Sequence, residues 1–237
     1  MWQLLPFISQ LDIGPFSVST FVVIYPQMYY DKWVHIIPFV HKRALKCETC
    51  LAMMKAIVFV YDTVAIFEVS LSCMFLKYSG DVATAGLEIR DYESYEGLRL
   101  RPHHLLEDLD MDDFDCFIVP GGRPETILGN NLLSRKLRQM HAKGGVVAAI
   151  CGGPVHLAKA GLLKERRYTT TLHGEMSNEF CEGTYVDEIV VADGNIITAK
   201  PQGNIDMAFA ILDQLELWES PEERAETWRQ YHQFLLK

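Results

Sequence analysis

The chain contains no run of 18 or more uncharged apolar residues, so no segment reads as a membrane-spanning helix and no membrane partner is expected. It has no cluster of lysines and arginines. With 22 basic against 31 acidic residues its net charge is -9, which argues against a nucleic-acid partner. Internal repeats and low-complexity tracts are absent, which excludes a repeat array. The opening Met1-Trp2-Gln3-Leu4-Leu5-Pro6 lacks the basic stretch of a signal peptide. Six cysteines, at 47, 50, 73, 116, 151 and 181, form no dense framework, and most lie in apolar runs. Reduced thiols and a cytoplasmic location are the expectation. Cys47-Glu48-Thr49-Cys50 has C-x-x-C spacing without a second pair of ligands. His103-His104 has no acidic ligand at metal-site spacing. No metal and no cofactor is therefore expected.

What is present is a chain of 237 residues, 49% of them hydrophobic, enough for a sizeable core in one large or two small domains. Residues 1–53 stand apart. They are rich in aromatics and prolines and carry only seven charged residues. The pair Met53-Met54 then leads straight into a strand, Ala56-Ile57-Val58-Phe59-Val60. The expectation is an N-terminal extension over 1–53, disordered or upstream of the true start. A domain over 54–219 and a C-terminal helix over 220–237 follow.

From residue 56 onward strands and helices alternate. Strands are expected at 56–60, 81–87, 114–120 and 146–150, with β-rich sequence at 168–171. Helices are expected at 65–78, 131–143, 155–160, 205–215 and 221–236. A polar hairpin is expected over 88–101 with Glu96-Gly97 at its turn, and a second about Asp193-Gly194. Such alternation implies an α/β fold, a doubly wound, mostly parallel sheet with helices on both faces. Sites in such sheets lie at the carboxyl ends of strands. Two loops fall there: Gly121-Gly122, and Cys151-Gly152-Gly153.

The second loop carries the chemistry. The run Val146-Val147-Ala148-Ala149-Ile150 ends on Cys151, and Gly152-Gly153-Pro154 opens a helix. A cysteine at a strand-to-helix corner meets free backbone N–H groups and the positive end of a helix dipole, which lowers a thiol pKa and exposes the sulfur. This is the cysteine counterpart of the hydrolase nucleophile elbow. The same pattern also fits a buried structural cysteine beside a Gly-Pro turn. Glu68 is an acidic residue in the apolar run 64–71 and costs several kcal/mol if buried unpaired. Either it lies on a solvated helix face or it meets a polar partner. Amides of Gly121, Gly122 and Gly152 suit an oxyanion hole, and equally suit tight turns.

Taken together, residues 56–60, Phe67-Glu68-Val69, the run from Phe114 to Pro120-Gly121-Gly122, and the elbow around Cys151 resemble the ThiJ/PfpI family. This family belongs to the class I glutamine amidotransferase-like superfamily and includes the Parkinson-disease deglycase. The resemblance spans about residues 55–216. It implies a flavodoxin-like fold, a homodimer, a reactive cysteine at Cys151 and an acidic partner at Glu68, on the helix after strand one. It departs at the histidine. Many members end the Thr-Thr run with one, whereas this chain reads Thr169-Thr170-Thr171 with His173 two positions on. Peptidase-like members carry a histidine directly after the cysteine, where this chain has Gly152. His173 is thus either a catalytic participant or a surface-loop histidine, and His156 is expected to point elsewhere.

The function implied is a cysteine-dependent enzyme acting on a small carbonyl or amide substrate, of glyoxalase, deglycase or hydrolase type. Two alternatives stand beside it. One is a redox-responsive protein whose Cys151 is oxidised. The other is an intracellular peptidase.

Overall fold

The computed structural model describes residues 53–233. The extension expected at 1–53, apart from Met53, and with it Cys47 and Cys50, lies outside the described residues, as do 234–237. The first strand, β1, is Met54–Phe59. All its residues but Lys55 are buried, as a strand covered on both faces requires. There follow α1 (Ser70–Ser79), β2 (Gly80–Gly86), the short strands β3 (Tyr92–Glu93), β4 (Arg99–Leu100) and β5 (His104–Leu105), and β6 (Cys116–Val119). Then come α2 (Asn131–Ala142), β7 (Val146–Ile150), α3 (Pro154–Lys159), β8 (Arg167–Tyr168) and β9 (Thr184–Tyr185). The last elements are β10 (Val190–Asp193), β11 (Ile196–Ala199), α4 (Asn204–Gln214) and α5 (Pro221–Gln233).

Seven strands form one sheet in the order β10-β11-β7-β6-β1-β2-β5. Every pairing is parallel except β10 with β11. Strand alternation sends Ile57, Phe59, Phe117, Val119, Val147 and Ala149 to one face, where Leu133, Leu137 and Met140 of α2 and Val155 and Leu157 of α3 cover them. Ala56, Val58, Ile118, Val146, Ala148 and Ile150 point the other way, against Phe75 and Leu76 of α1 and Met207, Phe209 and Leu212 of α4. The fold is the doubly wound, flavodoxin-like α/β sheet. Among the described residues, no helix is long and apolar enough to cross a membrane.

Three local expectations need correction. Residues 65–69 do not belong to α1; they form a bend and turn ahead of it, so Glu68 lies in a turn and not on a helix. The second hairpin turns on Gly194-Asn195, because Asp193 still pairs with Ile196. The β-rich stretch expected at 168–171 gives only Tyr168 to a strand, since the Thr169 amide donates to the Thr198 hydroxyl and the Thr171 amide to the Cys151 carbonyl instead of to a ladder.

Candidate active site

The site forms where three chain segments meet at the carboxyl edge of the sheet. Cys151 follows β7 directly. Its amide still donates to the Ala199 carbonyl at 2.8 Å, so the ladder reaches the cysteine. There the backbone breaks into the left-handed region, with φ at 60°. For a residue with a Cβ this conformation is uncommon and costs on the order of 1–3 kcal/mol. Two neighbours hold it: the Thr170 hydroxyl donates to the Cys151 carbonyl at 2.7 Å, and the Thr171 amide does so at 3.3 Å.

Glu68 arrives from the turn after β1. It is 2% exposed. Its Oε2 accepts from the Gly121 amide at 2.9 Å, and its carboxyl also hydrogen-bonds Cys151. Gly121 lies between the two. A Cβ built there comes within 2.5 Å of Glu68 Oε2 and 2.6 Å of Cys151 Cβ, so only glycine permits this approach. Beside it, Tyr61 is buried and donates its hydroxyl to the Gly121 carbonyl at 2.8 Å, fixing the loop from behind.

Burial pushes the Glu68 carboxyl up from its ordinary value, against the hydrogen bonds from Cys151 and Gly121. Burial also pushes the Cys151 thiol up, to about 11, and the Glu68 charge adds to the rise. The Thr171 hydroxyl and the Gly152 amide pull it the other way. The lowered thiol pKa expected from the elbow pattern is thus corrected. The helix behind the cysteine, α3, has only six residues, and the half-buried sulfur sits beside the Glu68 carboxyl.

The remaining predicted residues separate. Gly152 is buried between Pro124 and Leu172, with its amide toward the sulfur. Gly122 has φ at 125° and abuts the Thr63 carbonyl. His173 is held elsewhere: its Nδ1 lies 2.9 Å from the Tyr168 hydroxyl, and its ring stacks on Tyr185 at 4.1 Å. The polar side chain facing the thiol from this segment is Thr171, whose Oγ1 is 3.7 Å from Sγ. His156 lies behind the site, edge-on to Tyr61. Burial pushes its imidazole down to about 4, so it is neutral.

Thr171, Thr170 and Tyr61 were not singled out by the sequence reading. In sequence the Thr169-Thr170-Thr171 run stands out for the histidine it lacks, and not for the hydroxyls it supplies. Among the described residues, no cluster of three or more potential metal ligands occurs.

Known proteins are similar to this chain in sequence and in fold. The chain is 36% identical over 116 residues to Protein DJ-1alpha of Drosophila melanogaster, covering 47% of this chain and 52% of the relative. It is 32% identical over 134 residues to Deglycase PfpI of Pyrococcus furiosus, covering 55% and 80%. It is 31% identical over 139 residues to the glutathione-independent glyoxalase DJR-1.2 of Caenorhabditis elegans, covering 57% and 73%. Of the DJ-1alpha relative, then, the chain spans about half the length. The crystal structure of Drosophila melanogaster DJ-1beta superposes with a TM-score of 0.64 at 28% identity, covering 75% of this chain and 97% of that one. The DJ-1/PfpI family model matches residues 54–214, a stretch that holds Glu68, Gly121 and Cys151, and the chain belongs to the DJ-1/PfpI family.

Proposed function

We propose that the chain is a cysteine-dependent enzyme acting on a small carbonyl compound, an α-oxoaldehyde first and a glycated or amide-type carbonyl second. The observation that carries this reading is the meeting of the Glu68 carboxyl, the Cys151 thiol and the Gly152 amide at one sheet edge. Burial pushes both ionisable groups toward their protonated forms, and a hydrogen bond joins them. The ionised form of Glu68 is the acceptor placed for the thiol proton, and burial of its charge favours that transfer.

On attack, the thiol proton moves to Glu68, the sulfur bonds the carbonyl carbon, and the π electrons move to oxygen. The Gly152 amide already faces the sulfur, and with Gly122 it is assigned to the oxyanion. The Gly121 amide is not, because Glu68 accepts its hydrogen. Return of the proton to oxygen gives a hemithioacetal. In an α-oxoaldehyde adduct, transfer of a proton from the sulfur-bearing carbon to its neighbour, and of the hydroxyl proton to the neighbour's oxygen, yields a thioester. Water then releases a 2-hydroxy acid and restores the thiol. The names deglycase and glyoxalase, borne by the relatives, support this substrate class. The reading also takes the protein to be a cytoplasmic homodimer, with 54–219 as the functional domain; sedimentation of the purified chain tests the dimer.

Incubation with methylglyoxal tests the chemistry. Turnover is expected, and Cys151→Ala abolishes it. His173→Ala costs less than about 100-fold in kcat/KM, roughly 3 kcal/mol, because His173 is held by Tyr168 and Tyr185. A loss as complete as that of Cys151→Ala would restore a Cys-His mechanism. Peroxide treatment is the second arm. A stoichiometric oxygen adduct on Cys151, without methylglyoxal turnover, would replace the enzyme by a redox-responsive protein.

A further inference from the structure

The turn that carries Glu68 is gripped from outside by the β3–β4 hairpin. The Glu93 amide donates to Asp62 Oδ1 at 3.3 Å, and the Thr63 amide donates to the Glu93 carbonyl at 2.7 Å. The Tyr95 amide donates to the Val64 carbonyl at 2.9 Å. At the hairpin tip, Glu96 Oε1 accepts from the Phe67 amide at 3.0 Å, and the same carboxylate is bonded by the Ile66 amide and the Ser94 hydroxyl. Ile66 and Phe67 immediately precede Glu68. Their amides lie in the turn ahead of α1, upstream of its N-cap Val69 and of the helix's own first N–H groups. Here the cap comes from 29 residues away, across a hairpin. Phe67 itself is half exposed, whereas Val64, Ala65 and Val69 on either side of it are buried, so burial holds the ends of the turn and leaves its crest to the hairpin.

We propose that Glu96 is a positioning residue for the Glu68–Cys151 pair: its carboxylate caps the Ile66 and Phe67 amides and so fixes the turn that aims Glu68 at the sulfur. The proposal rests on the reading of Cys151 and Glu68 as a reactive pair. Four groups face Glu68: Cys151 from the end of β7, Tyr61 from the end of β1, the Gly121 amide from the loop after β6, and Glu96 from the hairpin. Burial works against ionisation of Glu96, yet the hydrogen bonds from Phe67, Ser94 and Ile66 hold its carboxyl below the usual range. It therefore remains a charged acceptor at neutral pH, and its charge adds to the burial that raises Glu68.

Charge and reach are separable. Glu96→Gln keeps an acceptor oxygen at the same reach and removes the charge. Glu96→Asp keeps the charge and falls one methylene short of the amides. The experiment follows iodoacetamide alkylation of Cys151 in the full chain across pH, read by peptide mass spectrometry, with thermal unfolding as the check of folding. Glu68→Gln supplies the reference profile for a lost proton acceptor. Glu96→Ala and Glu96→Asp are expected to move the parent profile toward that reference, by about five-fold in rate where the parent curve is steepest, the scale of one lost cap. Glu96→Gln, which loses only the charge, moves the profile less than either. Glu96→Ala placed on Glu68→Gln adds nothing further. A folded Glu96→Asp protein with the parent's profile overturns the proposal, as does an effect of Glu96→Ala that persists undiminished on Glu68→Gln. If Glu68→Gln itself leaves the profile unchanged, the reactive-pair reading fails, and that result is distinct from a failure of Glu96 alone.

Discussion

Glu68 is a carboxyl that the fold takes out of water and sets against a thiol, and its stability contribution has a definite sign. Burial raises its pKa in the folded state. The folded protein therefore holds that proton more tightly than the unfolded chain does. The favourable contribution is complete below the ordinary carboxyl value of 4.5 and is lost as pH rises through the raised folded value. Glu68→Gln imitates the protonated form at every pH and retains an acceptor for the Gly121 amide. It is expected to match the parent in stability near pH 4 and to exceed it at pH 8, by about 2–4 °C in Tm for each 1 kcal/mol of relief. Denaturation at the two pH values decides the matter. A variant less stable than the parent at pH 8 would mean that the ionised carboxylate is a net stabiliser. The sequence exposed this residue because a charge inside an apolar run demands a partner. It did not expose Thr171, because a hydroxyl in a threonine run is unremarkable until the loop folds it to within 3.7 Å of the sulfur.

At the scale of elements, the elbow depends on two loops approaching without side chains between them. Gly121 is the point of contact. Gly121→Ala pushes a methyl group into Glu68 Oε2 and Cys151 Cβ, both held by backbone hydrogen bonds that cannot yield cheaply. The expected cost is about 1–3 kcal/mol of stability, with loss of Cys151 alkylation at neutral pH. Chemical denaturation and peptide-resolved labelling measure the two effects, and a stable variant with the parent's reactivity would show that the loops are not in register as described. The strand into the elbow was legible to the residue: Val146–Ile150 is a continuous apolar run, covered on both faces. The start of α1 was not. Apolar spacing runs on through 65–69, but Glu96, distant in sequence, caps the Ile66 and Phe67 amides and holds a turn there. A periodicity read along one segment carries no information about a cap from another. Likewise β5 has two residues and enters the sheet only because β2 presents an edge to it.

At the scale of the molecule, the two faces of the sheet are covered unequally. One face has α2 and α3 with the segments around them; the other has α1 and α4, with α5 laid over both. Tyr231 of α5 meets Phe75 edge-on at 5.1 Å, and Trp228 meets Phe209 at 5.0 Å. Arg224 anchors the near end of α5 to Asp213 of α4 through two contacts, at 2.6 and 2.7 Å. A domain ending at residue 219 therefore strips an aromatic layer from Phe75 and Phe209. By contrast, the alternation of strand and helix begins at Met54, and β1 is paired on both sides by β2 and β6. A fragment of residues 54–233 is expected to unfold cooperatively and to keep Cys151 reactivity. A fragment of residues 54–219 should keep the sheet and lose at least about 3 kcal/mol, the scale of deleting one buried aromatic side chain. Urea denaturation of the two fragments compares them directly. Equal midpoints would make α5 an appendage. An insoluble product from 54–233 would show that the first 53 residues complete the core.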